Sequence, residues 1–154
     1  MYAILAPVPA ILLQEALELH SSIVAFGSNA FEFFSSDEVK AEKGKIRVLI
    51  FASNTDASGP HPLYKPGYVT FNGTYEGFEP SVGGVHKFPE ERPPSAKFDT
   101  PVGIFWRVSN LKKLEMALPL KQLKLPPLPG AEKLRKYSGN SPRGPLLIVD
   151  PNTI

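Results

Sequence analysis

The chain has 154 residues, of which 42% are hydrophobic and 21% are charged, and it contains 17 prolines and no cysteine. This size and balance predict one globular domain over residues 1–154, and the missing cysteine excludes disulfides, thiolate zinc sites and thiol nucleophiles. Such a chain fits a reducing compartment, so we expect it in the cytoplasm. The net charge is +2, but residues 102–154 hold nine Lys or Arg against three Asp or Glu. This excess permits an anionic partner such as nucleic acid, although a merely solvated surface has the same composition.

The first forty residues predict a strand, an amphipathic helix and an aromatic segment. Tyr2–Ala6 is a short apolar run, and the prolines at 7 and 9 should end a strand there. In Ala10–His20 the apolar residues recur at helical spacing. This apolar opening has no basic segment before it and is too short to span a bilayer, so neither a signal peptide nor a membrane partner is expected. Ile23–Phe26 is another apolar run, and Ala30–Phe34 alternates in the manner of a strand.

Three apolar runs bounded by turn residues predict the main strands. Lys45–Asn54 (KIRVLIFASN) is the strongest and predicts a buried central strand. Gly67–Phe78 follows it, and its Asn72-Gly73 pair predicts a tight turn or a bulge. Val102–Val108 is the third run, and Leu111–Leu118 is expected to continue it after a turn or bulge. We expect all three runs in one mixed or antiparallel barrel.

The residues between and after these strands are rich in proline. Segment 55–66 predicts a surface loop, and Pro80–Pro101 has no periodicity, which is typical of functional or disordered loops. Pro119–Leu123 predicts one helical turn, Ala131–Tyr137 a short basic helix, and Leu146–Val149 a final strand. Five to seven short strands with an N-terminal helix and short helical turns predict a mostly-β or α+β barrel and not a doubly wound sheet.

Two segments carry a pattern known from other domains. In the first, Gly27 and Glu32 have the spacing of G-x-K-x-x-E-x-R, with Asn29 at the Lys position and Phe34 at the Arg position, ahead of the strand IRVLIFAS. In the second, Gly103–Leu123 holds a strand, a Leu-Pro-Leu segment and a short helical turn. Both segments resemble the ASCH and EVE domains of the PUA-like superfamily. The resemblance extends over nearly the whole chain and implies a small PUA-like β-barrel.

The resemblance also implies binding of RNA or of a modified base, without a cofactor. Some ASCH members are amidohydrolases that act on acylated cytidine, with Lys and Glu in the site. Here Glu32 matches that Glu, but Asn29 replaces the Lys and suits holding a carbonyl better than activating a nucleophile, which favours binding over turnover. Three functions stay open: a non-catalytic module for RNA or a modified nucleobase or nucleotide, a small amidohydrolase of nucleoside-like amides, and a protein–protein module that uses its Pro-rich loops.

Aromatic neighbours single out two further places. Glu32 stands beside Phe33 in the run FEFF, where apolar walls would suit an acid or base, although the side chain could equally face solvent. Alternation along the third strand puts Trp106 on one face and Arg107 on the other. Trp106 could stack on a base, or it could simply be core, and Arg107 could hold a phosphate or a carbonyl.

A basic, turn-rich segment near the end is the last candidate. Lys136, Ser141 and Arg143 could hold a phosphate through charge and backbone N–H groups, and with Arg107 they would face an anionic ligand. A turn before the last strand needs the same residue types, so the pattern has a purely structural interpretation as well. The three histidines lack metal-ligand spacing, and no metal site is expected.

Overall fold

A computed structural model describes residues 1–41, 45–54, 59–98, 102–139 and 141–153. Its strands are β1 (Tyr2–Pro9), β2 (Ile23–Ser28), β3 (Arg47–Ser53), β4 (Tyr68–Pro80), β5 (Ile104–Pro119), β6 (Lys124–Leu125), β7 (Arg135–Lys136) and β8 (Leu146–Val149). Its helices are α1 (Ala10–Leu17), α2 (Phe31–Phe34) and α3 (Asp37–Lys40), with 3-10 turns at Pro89–Glu91, Pro94–Phe98, Leu120–Gln122 and Pro151–Thr153. Residues 42–44 before the central run, parts of the predicted loops at 55–58 and 99–101, and Asn140 lie outside the described residues.

Six strands form one curled, half-barrel sheet in the order β2-β5-β4-β3-β1-β8. The pair β1–β3 is parallel and the other neighbours are antiparallel. The mostly-β, α+β class predicted from the sequence is therefore confirmed, with the three strong runs as the adjacent strands β3, β4 and β5. A separate two-stranded ribbon pairs β6 with β7.

The sheet is buried on both faces, which explains the uninterrupted apolar run of β3. Val48 and Ile50 belong to a core shared with α1 and Trp106, which we call the helix-side core. Leu49 and Phe51 point the other way, into a second core beneath the Leu120–Gln122 turn. A strand covered on both faces reads as continuous hydrophobic sequence because neither set of side chains meets water.

The Asn72-Gly73 pair forms a bulge. The register between β4 and β5 shifts between Asn72 and Thr74, and Asn110 on the facing strand takes a positive φ of 53°. A Cβ on Gly73 would collide with the Val108 side chain and lie 2.9 Å from the carbonyl oxygen of Ser109. Glycine is therefore required here by close approach of the neighbouring strand, and β5 continues through Asn110 to its end, as the sequence predicted.

Three predictions near the N-terminus need correction. The prolines at 7 and 9 do not end β1. Strand β8 pairs only with Tyr2–Leu5, so on that edge no strand needs the N–H groups that the two prolines lack. Helix α1 ends at Leu17, short of His20. The alternating run at 31–34 is a single helical turn, not a strand.

The predicted basic helix at 131–137 was also wrong. Within it, Arg135 and Lys136 form β7, which pairs with β6, and the Arg135 Nε donates to the carbonyl of Pro126 at 2.9 Å. A seven-residue helix without a buried face is marginal in water, so a short ribbon docked near β8 is the better local structure. Among the described helices none is long and apolar enough to cross a membrane.

Candidate functional site

The outward face of β5 carries a buried charged cluster. Alternation places Arg107 on the face opposite Trp106, as predicted, and there its Nε and Nη2 donate to the two carboxylate oxygens of Glu91 at 2.9 and 2.8 Å. The other partner of this carboxylate is Nε2 of His86, at 2.9 Å. Two planar groups thus converge on a single carboxylate, and this joins the segment 86–91 to the sheet.

The charge balance of this cluster favours an ionised carboxylate. Burial by itself raises the pKa of Glu91, but hydrogen bonds from Arg107 and His86, together with their charges, outweigh burial and hold that pKa below its ordinary value. The same hydrogen bond to Glu91 raises the pKa of Arg107. The Glu91–Arg107 pair is therefore a fixed structural ion pair.

Two more contacts clamp the same segment. Arg92 Nη1 donates to the carbonyl of Ala25 on β2 at 2.7 Å, and its guanidinium carbon lies 4.6 Å from the ring centroid of Phe105. Ser95 donates through its backbone N and its Oγ to the Glu15 carboxylate of α1, at 2.9 and 2.5 Å. The stretch that the sequence left as a functional or disordered loop is thus tied to β2, β5 and α1.

A cavity of about 330 Å³ lies between this segment and the start of β5, where Arg92 also bonds to β2. Its walls are mainly apolar and proline-rich, with two nitrogen-bearing side chains, and consist of Gly84, Val85, His86, Pro89, Arg92, Pro93, Pro94, Ala96, Val102 and Phe105. A concave apolar site with a few convergent polar groups is the usual form of a small-molecule site. We take this cavity, hereafter the β2–β5 cavity, as the candidate functional site.

His86 supplies an unusual polar atom at this site. Its side chain is fully buried, and Nδ1 has no hydrogen-bond partner among the described residues. Nε2 faces the Glu91 carboxylate and donates to it, which leaves Nδ1 as the ring nitrogen without a partner among the described residues. A buried polar atom without a partner costs stability, and because Nδ1 is itself buried it offers no contact surface to a ligand in the cavity.

Trp106 and Phe33 do not line the β2–β5 cavity. Trp106 is 3% exposed in the helix-side core, where its ring stacks on Phe34 at 5.7 Å with an interplanar angle of 19°. Phe33 packs edge-on against Phe34 at 5.0 Å. Both aromatic side chains therefore contribute packing, which is the structural alternative that the sequence left open for Trp106.

Asn29 and Glu32 lie close together in the chain but differ in their surroundings. The Asn29 Oδ1 accepts a hydrogen bond from the backbone N of Gly103 at 2.9 Å, next to the cavity-lining Val102. Asn29 therefore braces the cavity's edge through the backbone. Glu32 is exposed on α2 and is not among the residues around the β2–β5 cavity, so the apolar walls expected around its carboxylate are missing.

The polar and basic residues near the C-terminus are exposed and lie on the β6–β7 ribbon or just before β8. Lys136 lies on β7, and Ser141 and Arg143 precede β8. Three strands, β4, β3 and β1, separate β8 from β5, the strand of Arg107. Arg107 is already bound to Glu91, and a ligand shared by these four residues stays a prediction.

The sequence did not single out His86, Glu91 or Arg92. The sequence feature that came closest was the length and proline content of Pro80–Pro101. It pointed to a functional region but did not identify which side chains in it would interact. Their partners on β2 and β5 lie up to 67 residues away, a distance over which no local pattern pairs them.

Comparisons with known protein families, curated proteins and solved structures found no match. Within the part of the chain that the structure describes, no three His, Cys, Asp or Glu side chains come together as a metal-binding group.

Proposed function

We propose that this chain is a non-catalytic binding module whose ligand is RNA or a modified nucleobase or nucleotide. The observation that carries the proposal is the β2–β5 cavity, in which the aromatic ring of Phe105, the Arg92 guanidinium and the buried His86 converge. Phe105 is 2% exposed with the Arg92 guanidinium over its ring, so the half-buried guanidinium is the planar group at the cavity wall. Unpaired bases are recognised by stacking on guanidinium planes and by hydrogen bonds along their edges.

The size and polarity of the cavity suit one base. Its volume of about 330 Å³ lies at the small end of ligand sites. The Arg92 guanidinium at the cavity wall is suited to a base carbonyl. The prolines of the lining hold the walls stiff, so that little ordering is needed on binding.

The exposed basic residues of the C-terminal third support a second, separate contribution. Lys136 and Arg143 are not among the cavity-lining residues, and they have the charge to neutralise phosphates without distinguishing one base sequence from another. A free nucleobase would then use only the cavity, whereas a strand of RNA would use both surfaces.

The surroundings of Glu91 and Glu32 favour binding over turnover. The carboxylate next to it, Glu91, is engaged by Arg107 and His86 and is not free to move a proton. Exposed Glu32 gives the amidohydrolase alternative no enclosed site. The prolines of segment 89–94 form cavity walls, which leaves the protein–protein alternative without a supporting observation.

The test is a fluorescence-anisotropy titration with labelled single-stranded RNA at about 50 and about 200 mM salt, repeated in competition with free and modified nucleosides. We expect affinity to fall steeply with salt, and nucleosides to compete for the cavity. Removing Lys136 or Arg143 should reduce the salt slope by about 0.7 per lost phosphate contact. RNA affinity that is absent at low salt, or insensitive to it, overturns the proposal.

Two neighbouring valines provide a matched control for the cavity. Val82 and Val85 face each other across a short bridge and are both largely exposed, but of the two only Val85 lines the cavity. Val85→Trp should weaken nucleoside competition about tenfold or more by narrowing the site, while Val82→Trp should leave it unchanged. Equal effects of the two substitutions would show that nucleosides bind elsewhere.

A further inference from the structure

The second half of β5 has a free edge. Strand β2 pairs with β5 only over Ile104–Ser109, and β4 lies along the opposite edge of β5 as far as Pro119. From residue 110 to residue 118 no second strand pairs with β5 among the residues that the structure describes. An unpaired edge presents a row of backbone N–H and C=O groups that can hydrogen-bond to another strand.

The side chains along this edge are accessible to a partner. Lys112, Lys113, Glu115 and Met116 are exposed, Met116 to 84%, while Leu114 between them is half-buried. Native edges are often protected by lysines, but here a glutamate stands two residues from a lysine on the same face, and a bare methionine follows it.

We propose that a second copy of this chain pairs antiparallel with this edge, with the two-fold axis at Leu114. In that arrangement Lys113 of each copy lies directly opposite Glu115 of the other, which makes two ion pairs. Lys112 lies opposite Met116, whose side chain packs on the lysine stem, and Leu114 meets its own copy at the centre. The inference is independent of nucleic-acid binding, since the β2–β5 cavity lies beside the first half of β5.

Charge selects this register over its neighbours. A two-fold axis normal to the sheet keeps each side chain on its own face of the sheet. Residues directly opposite each other must therefore point to the same face, which is the case only if the axis passes through a residue position. Moving the axis to residue 113 would put Lys113 opposite itself, and moving it to residue 115 would put Glu115 opposite itself. Like charges directly opposite destabilise a strand pair, so Leu114 is the central position that the charges favour.

The experiment is sedimentation velocity over a concentration series of the full chain. We expect the wild type to sediment as a dimer of the 16.9 kDa chain. Lys113→Glu and Glu115→Lys should each weaken the dimer about tenfold or more, because each creates two like-charge contacts. An equimolar mixture of the two variants should restore a heterodimer, since every opposed pair is then oppositely charged again. The double variant Lys113→Glu/Glu115→Lys should also dimerise.

Lys112→Glu is the matched control, because it changes the net charge by the same amount but faces Met116. It should leave the dimer nearly intact, and mixing it with Glu115→Lys should restore less heterodimer than Lys113→Glu does, because one of the two opposed pairs stays lysine against lysine. All these side chains are exposed, so circular dichroism melting should report folded proteins throughout. A wild type that stays monomeric at high concentration, a dimer that ignores both charge reversals, or a mixture that fails to re-form it would each overturn the proposal.

Discussion

Removing the carboxylate of Glu91 tests whether charge holds the 86–92 segment on the sheet. Glu91→Ala deletes the acceptor of three hydrogen bonds, from Arg107 at 2.8 and 2.9 Å and from His86 at 2.9 Å. The Glu91 side chain is 6% exposed and that of Arg107 is 18% exposed, so water recovers only part of the loss. Breaking a buried pair by removing one partner costs about 3–5 kcal/mol, and we expect about 3 because Arg107 keeps some access to water.

Urea unfolding near pH 7 measures this change, and Glu90→Ala is the control. Glu90 lies in the same 3-10 turn but is exposed, so its loss should change stability by no more than about 0.5 kcal/mol. If Glu91→Ala costs less than about 1 kcal/mol, the cluster does not hold the segment and the account of the cavity wall fails.

The pH dependence of this stabilisation has a definite sign. The folded-state pKa of Glu91 lies below its ordinary value of 4.5, so the unfolded chain binds the proton more readily. The contribution of Glu91 is therefore complete above pH 4.5 and is lost as the pH falls through the folded-state pKa. The difference in unfolding free energy between wild type and Glu91→Gln should shrink between about pH 7 and about pH 3. A constant difference over that range would contradict this assignment.

Three further predictions concern packing. Ile50→Ala should cost about 2–5 kcal/mol, because Ile50 is fully buried in the central strand, and an unchanged urea midpoint would mean that β3 is not central. Gly73→Ala should cost about 1–3 kcal/mol in the same assay, because its Cβ meets Val108, whereas full stability would show that the bulge relaxes freely. Trp106→Ala should cost about 3–5 kcal/mol through loss of its stacking on Phe34, and a stable variant that loses only nucleoside affinity would move Trp106 from the core to the site.

Local periodicity was enough to find the sheet. The apolar run of β3 and the strand that holds Phe105, Trp106 and Arg107 are visible because a doubly buried strand needs apolar residues throughout, and because side chains alternate between faces. The Asn72-Gly73 pair predicted a tight turn or a bulge, and the structure has the bulge, where glycine permits close approach of the neighbouring strand.

Short segments without a buried face were decided by their neighbours. The run at 31–34 is a helical turn that buries Phe34 in the helix-side core with Phe33 packed against it, and Arg135–Lys136 form a strand because β6 offers a partner. In segments of four to seven residues the intrinsic preference is small, so one tertiary contact outweighs it.

The candidate site belongs almost wholly to the tertiary structure. The composition of residues 80–101 marked a region, but only the folded sheet brings Arg92 to Ala25, and Glu91 to Arg107, across loops with no local pattern. Aromatic and charged residue types alone suggested Trp106, Glu32 and Arg143, because chemistry can be read from a sequence whereas burial and proximity cannot. The sequence by itself determined that an uninterrupted apolar strand organises a mostly-β domain. Which polar groups meet near β2 and β5 depends on how the connecting segments run between the strands, and that path is fixed only when the strands pair.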